Sequence, residues 1–122
     1  MERVTINRVE ILGRVGADPR VANVGNTRIA RFTVATNEHF KDRSGNLHEE
    51  TTWHNIALWQ GKNTPDFESI KKGTTVHIYG RIRNSKYTGI DGESKYFSEI
   101  TASYVDVCRD GEPQGISPVG FR

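Results

Sequence analysis

The chain has 122 residues, 34% of them hydrophobic, and a formal net charge of +2. This length suits one domain with its own hydrophobic core. No apolar run approaches the roughly 20 residues of a membrane helix, and the N-terminus lacks the pattern of a secretory signal. The single cysteine, Cys108, excludes an internal disulfide. We therefore expect a protein of the cytoplasm with no membrane partner.

Turn signals divide the chain into five strand-like segments and one short helix. The predicted strands cover residues 4–15, 27–38, about 49–59, 74–84 and 95–107. Between the third and fourth strands, residues 63–73 have the pattern of a two-turn helix, with Thr64 as N-cap and Gly73 as terminator. Residues 16–26 are predicted to form a loop because they contain two strong turn pairs.

The order of these elements predicts the fold class, which is all-β with one short helix. Three strands, a helix and two strands are the order of a five-stranded, partly open Greek-key barrel. Glycines inside strands, such as Gly13 and Gly80, suit the tight bends that close a small barrel. Residues 1–108 would form this domain, and residues 109–122 would form a short flexible tail rich in glycine and proline.

The stretch TTWHNIALWQGK contains two tryptophans at an even spacing. Side chains alternate between the two faces of a strand, so Trp53 and Trp59 share one face while Ile56 and Leu58 share the other. A tryptophan taken alone is more often a core residue. Because a barrel strand has only one inner side and Ile56 and Leu58 fit it, we predict that both indoles point outward.

Cations alternate with aromatic side chains in the fourth strand and just beyond it, where Arg81, Arg83 and Lys86 precede Tyr87. Single-stranded nucleic acid offers a ring face and a charge at every nucleotide, so this pattern fits such a ligand. Judged by charge alone, the same cations fit equally well a solvated strand edge, where charged side chains protect against aggregation.

The sequence gives no positive sign of catalysis. The four histidines have no ligand spacing and no supporting cysteine: His39, His48, His54 and His77. No carboxylate pair, nucleophile motif or dinucleotide-binding context is present. We expect a protein that is not an enzyme and that needs no cofactor and no metal.

Five stretches, in this order, resemble the bacterial single-stranded DNA-binding proteins: NRVEILGRVGADPRV, ARFTVATNE, TTWHNIALWQGK, IKKGTTVHIYGRI and GESKYFSEI. The resemblance covers about residues 6–108. It implies an OB-fold in residues 1–108 that binds and protects single-stranded DNA in replication, recombination and repair. It also implies a location at the nucleoid and assembly as a homotetramer.

The resemblance also implies roles for particular residues. Bases would stack on the aromatic positions Phe40, Trp53, Trp59 and Tyr87. Phosphates would contact Lys62, Lys72 and Lys86, and the strand pattern adds Arg81 and Arg83. His54 matches a histidine at the subunit interface.

Two departures from the family pattern bear on assembly and partners. Glu10 stands in the first strand where the family is usually apolar, which leaves a dimer as the alternative to the tetramer. The sequence ends in GISPVGFR without the family's acidic tip. Either the chain is truncated or it is a short version, and recruitment of repair enzymes through such a tip is not carried over. The alternative function is a primosome-type or mobile-element OB adaptor that binds DNA weakly.

Overall fold

Alternating apolar and polar residues build this protein almost entirely from strands. The computed structural model describes residues 4–61 and 64–108. The strands are β1 (Val9–Val15), β2 (Arg20–Val24), β3 (Thr27–Lys41), β4 (Leu47–Trp59), β5 (Thr75–Thr88) and β6 (Ser94–Cys108). A single 3-10 turn, Phe67–Ser69, lies between β4 and β5. The part of the chain that the structure describes contains no helix long and apolar enough to cross a bilayer.

Five of the strands close into a barrel. The hydrogen-bonded order is β1-β5-β6-β4-β3, and β1 returns to β3 through the pairs Arg14–Ala35 and Val15–Val34. All pairings are antiparallel except β4 with β6. The predicted five-stranded barrel with OB-fold topology is therefore confirmed, and β2 lies outside it, paired with β3 alone among the described strands.

Inward-pointing aliphatic side chains fill the barrel. Val34, Ile56, Val76 and Ile78 are each at most 1% exposed, and Phe67 from the 3-10 turn joins them. The inner face assigned from the sequence to Ile56 and Leu58 on β4 is thus confirmed.

Gly13 and Gly80 allow the strands to approach closely at the points where the barrel closes. A Cβ atom at Gly13 would lie 2.3 Å from the carbonyl oxygen of Ala35, and one at Gly80 would lie 2.3 Å from that of Thr101. No side chain fits such gaps, because real Cβ atoms essentially never approach within 3.0 Å. The structure thus shows close strand approach at both glycines.

The prediction was wrong about the start of the chain. β1 begins at Val9 rather than at residue 4, and residues 20–24, predicted as loop, form β2. All five residues of β2 are exposed, so no buried side chain marks it in the sequence. It exists because its backbone pairs with the edge of β3, which is a tertiary contact.

The predicted two-turn helix is also wrong. Asp66, rather than Thr64, caps the single 3-10 turn, since its carboxylate accepts the N–H of Glu68. The Thr64 hydroxyl oxygen instead accepts the N–H of Gly61 at 2.6 Å. Phe67 and Ile70, three residues apart, are both buried although they do not lie on a helix of two turns.

Two hairpins extend beyond the barrel and are longer than predicted. The β3–β4 ladder continues to the pair Lys41–Leu47, and the β5–β6 ladder continues to the pair Thr88–Ser94. Residues in these extensions are mostly exposed on both sides. Backbone pairing rather than burial holds them together, which explains why the apolar pattern stops before the strands do.

Candidate nucleic-acid interface

One outward sheet face runs across β3, β4, β6 and β5. Directly paired residues lie on the same side of a sheet, so the printed register defines this face. On β3 and β4 it carries the pairs Ala35–Trp53, Thr33–Asn55, Arg31–Ala57 and Ile29–Trp59. On β5 and β6 it carries the pairs Arg81–Thr101, Arg83–Glu99, Ser85–Phe97 and Tyr87–Lys95. We call this the aromatic face.

Both tryptophans point outward on the aromatic face. Trp53 is 59% exposed and Trp59 is 40% exposed, whereas Ile56 and Leu58 between them are buried. Rings of this size remain in solvent only at a cost, because burying a large apolar side chain is worth about 1.5–3 kcal/mol. Two exposed indoles on one strand face are therefore a feature of this surface that the fold alone does not explain.

Trp53 lies directly over Gly16. A Cβ atom at Gly16 would approach Cζ3 of the indole to 2.5 Å and the hydroxyl oxygen of Thr33 to 2.9 Å. The missing side chain of Gly16 thus leaves the space in which the Trp53 ring lies. No sequence pattern indicates this contact, because the two residues are far apart in the chain.

Tyr87 lies on the same face of the β5–β6 hairpin as a second ring that sequence reasoning missed. Tyr87 is 49% exposed, and Phe97 is 39% exposed. Their ring centroids are 5.9 Å apart, and the rings meet edge to face at 66°. The alternation of β6, with Lys95, Phe97 and Glu99 on one side, could have identified Phe97.

Phe40 and Lys86 occupy the opposite side of their hairpins. Phe40 pairs with His48, an odd number of residues from the Ala35–Trp53 pair, so its side chain points to the other side of the sheet. It is 49% exposed. Its ring stacks on the His48 imidazole, with centroids 5.2 Å apart and planes 17° apart. Lys86 pairs with Tyr96 rather than with the Tyr87 side. The predicted site residues therefore do not form one flat surface, and a ligand touching all of them must follow the hairpins.

The predicted cations differ in where they lie. Arg81 and Arg83 are exposed on the aromatic face. Lys72 is exposed after the 3-10 turn, and its backbone N–H donates to the Asp18 carboxylate at 2.8 Å. Lys62 lies outside the described residues.

An ion pair that the sequence did not reveal crosses the aromatic face. Nε of Arg31 on β3 lies 2.9 Å from Oε2 of Glu99 on β6. Because β4 runs between these two strands, the pair spans Ala57, which is only 2% exposed although it points outward. Glu99 is one of two buried polar residues in the described chain.

His54 lies on the inner side of β4, next to the rim of the barrel. It is half-buried, and its Nε2 atom is 3.0 Å from the Thr36 hydroxyl oxygen. Neighbouring residues Trp53 and Ile82 help to line a shallow cavity beside it. The assignment of His54 to a subunit interface rests on the family resemblance.

Glu10, which departs from the family pattern, contacts His77, one of the four histidines. Glu10 Oε2 is 2.6 Å from His77 Nε2, and the His77 ring packs 4.8 Å from that of Tyr79. His77 is consequently 7% exposed although it lies on the outward side of β5. Within residues 4–61 and 64–108, no group of three or more histidine, cysteine or acidic side chains could hold a metal ion.

Comparison with known proteins agrees with this architecture. Residues 6–108 match the model of the single-strand binding protein family. The chain belongs to that family. A family relative from Neisseria meningitidis, named single-stranded DNA-binding protein, is 37% identical over 101 residues, which cover 82% of this chain and 58% of the relative. Single-stranded DNA-binding protein 1 from Chlorobaculum tepidum is 36% identical over 117 residues, covering 94% and 68%. The chain thus spans little more than half of the Neisseria relative.

Solved structures of family proteins have the same fold. The structure titled Plasmodium falciparum SSB complex with ssDNA superposes with a TM-score of 0.76 at 28% identity, covering 88% of this chain and 97% of that one. A variant of the single-stranded DNA binding protein from Thermus aquaticus superposes with a TM-score of 0.72 at 24% identity, covering 87% and 52%. The second similarity concerns the fold alone.

Proposed function

We propose that this protein binds single-stranded DNA without base specificity and without catalysis. Bases stack on Trp53, Trp59 and Tyr87 of the aromatic face and on Phe40 of the hairpin, and nearby cations contact phosphates. The cations assigned to this role are Arg81, Arg83, Lys72, Lys86 and Lys62, the last from the family resemblance alone. The observation that carries the proposal is the exposure of both indoles beside a filled core.

The chemistry of the ligand explains why rings and cations occur together. Each unpaired nucleotide presents a ring face and a phosphate, and each stacked base contributes about 1–3 kcal/mol. Duplex DNA keeps its base faces inside the stack, so exposed indoles would gain little from it. Binding only the open strand shifts the duplex equilibrium by mass action, which protects the strand and removes hairpins in replication, recombination and repair.

Tryptophan fluorescence during titration with poly(dT) tests this function. We expect strong quenching, since both indoles would be covered by bases. Trp53→Ala and Trp59→Ala should each raise the dissociation constant by about 5- to 100-fold, the equivalent of one stacked base. The thermal unfolding midpoint serves as the control and should stay near that of the unmodified protein. Unchanged affinity in both folded variants would contradict the proposal, and loss of the fold in both would place the indoles in the core.

We also propose that the protein forms a homotetramer in the cytoplasm, at the nucleoid. Along one edge β1 pairs with β5, whereas along the other edge the described strands pair only Arg14 and Val15. A second copy can hydrogen-bond to this open edge. Val4 and Ile6 just before β1 are 87% and 77% exposed, which adds apolar surface for a partner copy.

Light scattering on the purified protein measures the assembly. We expect a mass near four times 13.8 kDa, and His54→Ala should shift it to smaller species because His54 is assigned to the subunit interface. A dimer mass would favour the alternative assembly, and a monomer would exclude both. Recruitment of other enzymes through the tail is not proposed, and residues 109–122 lie outside the described residues.

A further inference from the structure

Two arginines face each other directly at the edge of the aromatic face. Arg20 on β2 pairs with Arg31 on β3, so their side chains emerge on the same side of the sheet. Like charges at directly paired positions destabilise a sheet, since their Cβ atoms are about 4.5–5.5 Å apart. The Glu99 carboxylate on β6 neutralises one of the two charges, so the cluster keeps one net positive charge, which an anion between the guanidinium groups would offset.

Among the described residues, most donors of this arginine pair have no acceptor. Arg31 uses its Nε atom to bind Glu99, an arrangement that fixes the guanidinium in place. In residues 4–61 and 64–108, no acceptor contacts the terminal amino groups of Arg31 or any nitrogen of the Arg20 side chain. Two guanidinium groups with open forks are well suited to phosphate, which they can bind through paired hydrogen bonds.

The same residues line a groove of about 650 Å³ on the protein surface. Its lining includes Arg20, Arg31, Asn55, Phe97, Glu99 and Asp18. The volume lies within the range of small-molecule sites, which is about 300–1,000 Å³. Both carboxylates already have partners, because Glu99 binds Arg31 and Asp18 accepts the backbone N–H of Lys72. The two guanidinium groups therefore supply the charged donors of the groove, while Asp18 is held by the backbone of Lys72.

Phe97 gives the groove a stacking surface. It is 39% exposed and touches the edge of Tyr87, which already belongs to the proposed interface. The groove is thus continuous with the aromatic face rather than a separate site. An aromatic wall opposite a pair of cations has the two features that one nucleotide requires, a face for the base and donors for the phosphate.

We propose that this groove is an additional nucleotide subsite of the single-strand interface. The base stacks on Phe97, and the phosphate binds between Arg20 and Arg31. Glu99 is a positioning residue that holds the Arg31 guanidinium toward the phosphate. The inference rests on the proposed function, because it assigns one further nucleotide to the same DNA strand.

The stacking role is tested with Phe97→Ala and an oligonucleotide of thymidines, about 10 nucleotides long, within the roughly 4–16 that an OB-fold covers. We expect the dissociation constant to rise about 5- to 100-fold. Tyr104→Ala is the matched control, since Tyr104 is another exposed ring of β6, 47% exposed, that contacts Tyr79 rather than a residue assigned to DNA. Tyr104→Ala should change the affinity clearly less than Phe97→Ala, and equal effects would overturn the subsite.

The phosphate role is tested with Arg20→Gln in a salt titration. Losing one phosphate contact should reduce the slope of log affinity against log salt by about 0.7. Thermal stability should rise or stay unchanged, because the like-charge pair is removed. Arg28→Gln removes the same charge from the opposite side of β3, where that guanidinium lies 5.2 Å from the Phe67 ring, and should leave the slope unchanged.

Replacing Glu99 distinguishes a positioning role from a simple charge effect, because the two change the affinity for DNA in opposite directions. Removing a negative charge beside bound DNA would by itself tighten binding, whereas Glu99→Leu should weaken binding because Arg31 loses its fixed orientation. Tighter binding would overturn this assignment. Should Glu99→Leu fail to fold, Glu99→Gln replaces it, with a smaller weakening expected.

The results separate this inference from the proposed function. If the unmodified protein does not bind thymidine oligonucleotides, the function itself is wrong. If it binds and Trp53→Ala weakens binding, but Phe97→Ala and Arg20→Gln leave affinity and salt slope unchanged, only the subsite is wrong.

Discussion

At the scale of single residues, a side chain that is absent matters as much as those present. Gly16 leaves the space under the Trp53 ring, where an added Cβ would lie 2.5 Å from Cζ3. We predict that Gly16→Ala tilts or displaces the indole and raises the dissociation constant for poly(dT), by no more than Trp53→Ala does. Fluorescence titration of both variants measures this.

A double-mutant cycle checks that the effect passes through the ring. In a Trp53→Ala background, Gly16→Ala should cost little further affinity, since residues in contact are not additive. Full additivity of the two changes would show that Gly16 acts on something other than Trp53.

At the scale of elements, the β3–β4 hairpin has a turn organised by one carboxylate. Oδ1 of Asp42 accepts the N–H groups of Ser44 and Asn46, both at 2.9 Å. Oδ2 lies 2.8 Å from Nε2 of His48, whose ring stacks on Phe40. These hydrogen bonds lower the pKa of Asp42 below its usual value of 3.8, and the bond from His48 has the largest effect, followed by those of the turn.

The lowered pKa sets the direction of a pH effect. The folded turn favours the carboxylate, so its contribution is fully present above pH 3.8 and is lost as the pH falls through the lower folded pKa. We predict that the amides of Ser44 and Asn46 lose protection from hydrogen exchange at such acidic pH. Asp42→Ala should remove the protection at neutral pH too, and full protection in that variant would refute the role of Asp42.

At the scale of the whole molecule, stability and binding are carried by opposite faces of the same strands. Ile78 is completely buried in the barrel, so Ile78→Ala should lower the free energy of unfolding by about 2–5 kcal/mol. Ile82, on the same side of β5 but 49% exposed, is the matched control and should cost clearly less. Urea unfolding measures both, and equal losses would contradict the barrel boundary described here.

Much of this organisation could be predicted from local pattern. The outward position of Trp53 and Trp59 and the inward position of Ile56 and Leu58 are consequences of alternation, which operates within one strand. The family resemblance supplied the candidate stacking residues, and the order of elements was enough for the barrel. The 3-10 turn was misjudged because capping signals indicate where a helical turn begins better than how far it continues.

What the sequence by itself determined is which side of each strand is apolar, and hence the core, the barrel and the exposed rings. Only the tertiary structure decided which distant residues meet: Arg20 with Arg31, Arg31 with Glu99, Gly16 with Trp53 and Glu10 with His77. The physical reason is that side-chain alternation depends on neighbouring backbone units alone. Pairing and register depend on how the closed sheet brings separate strands together.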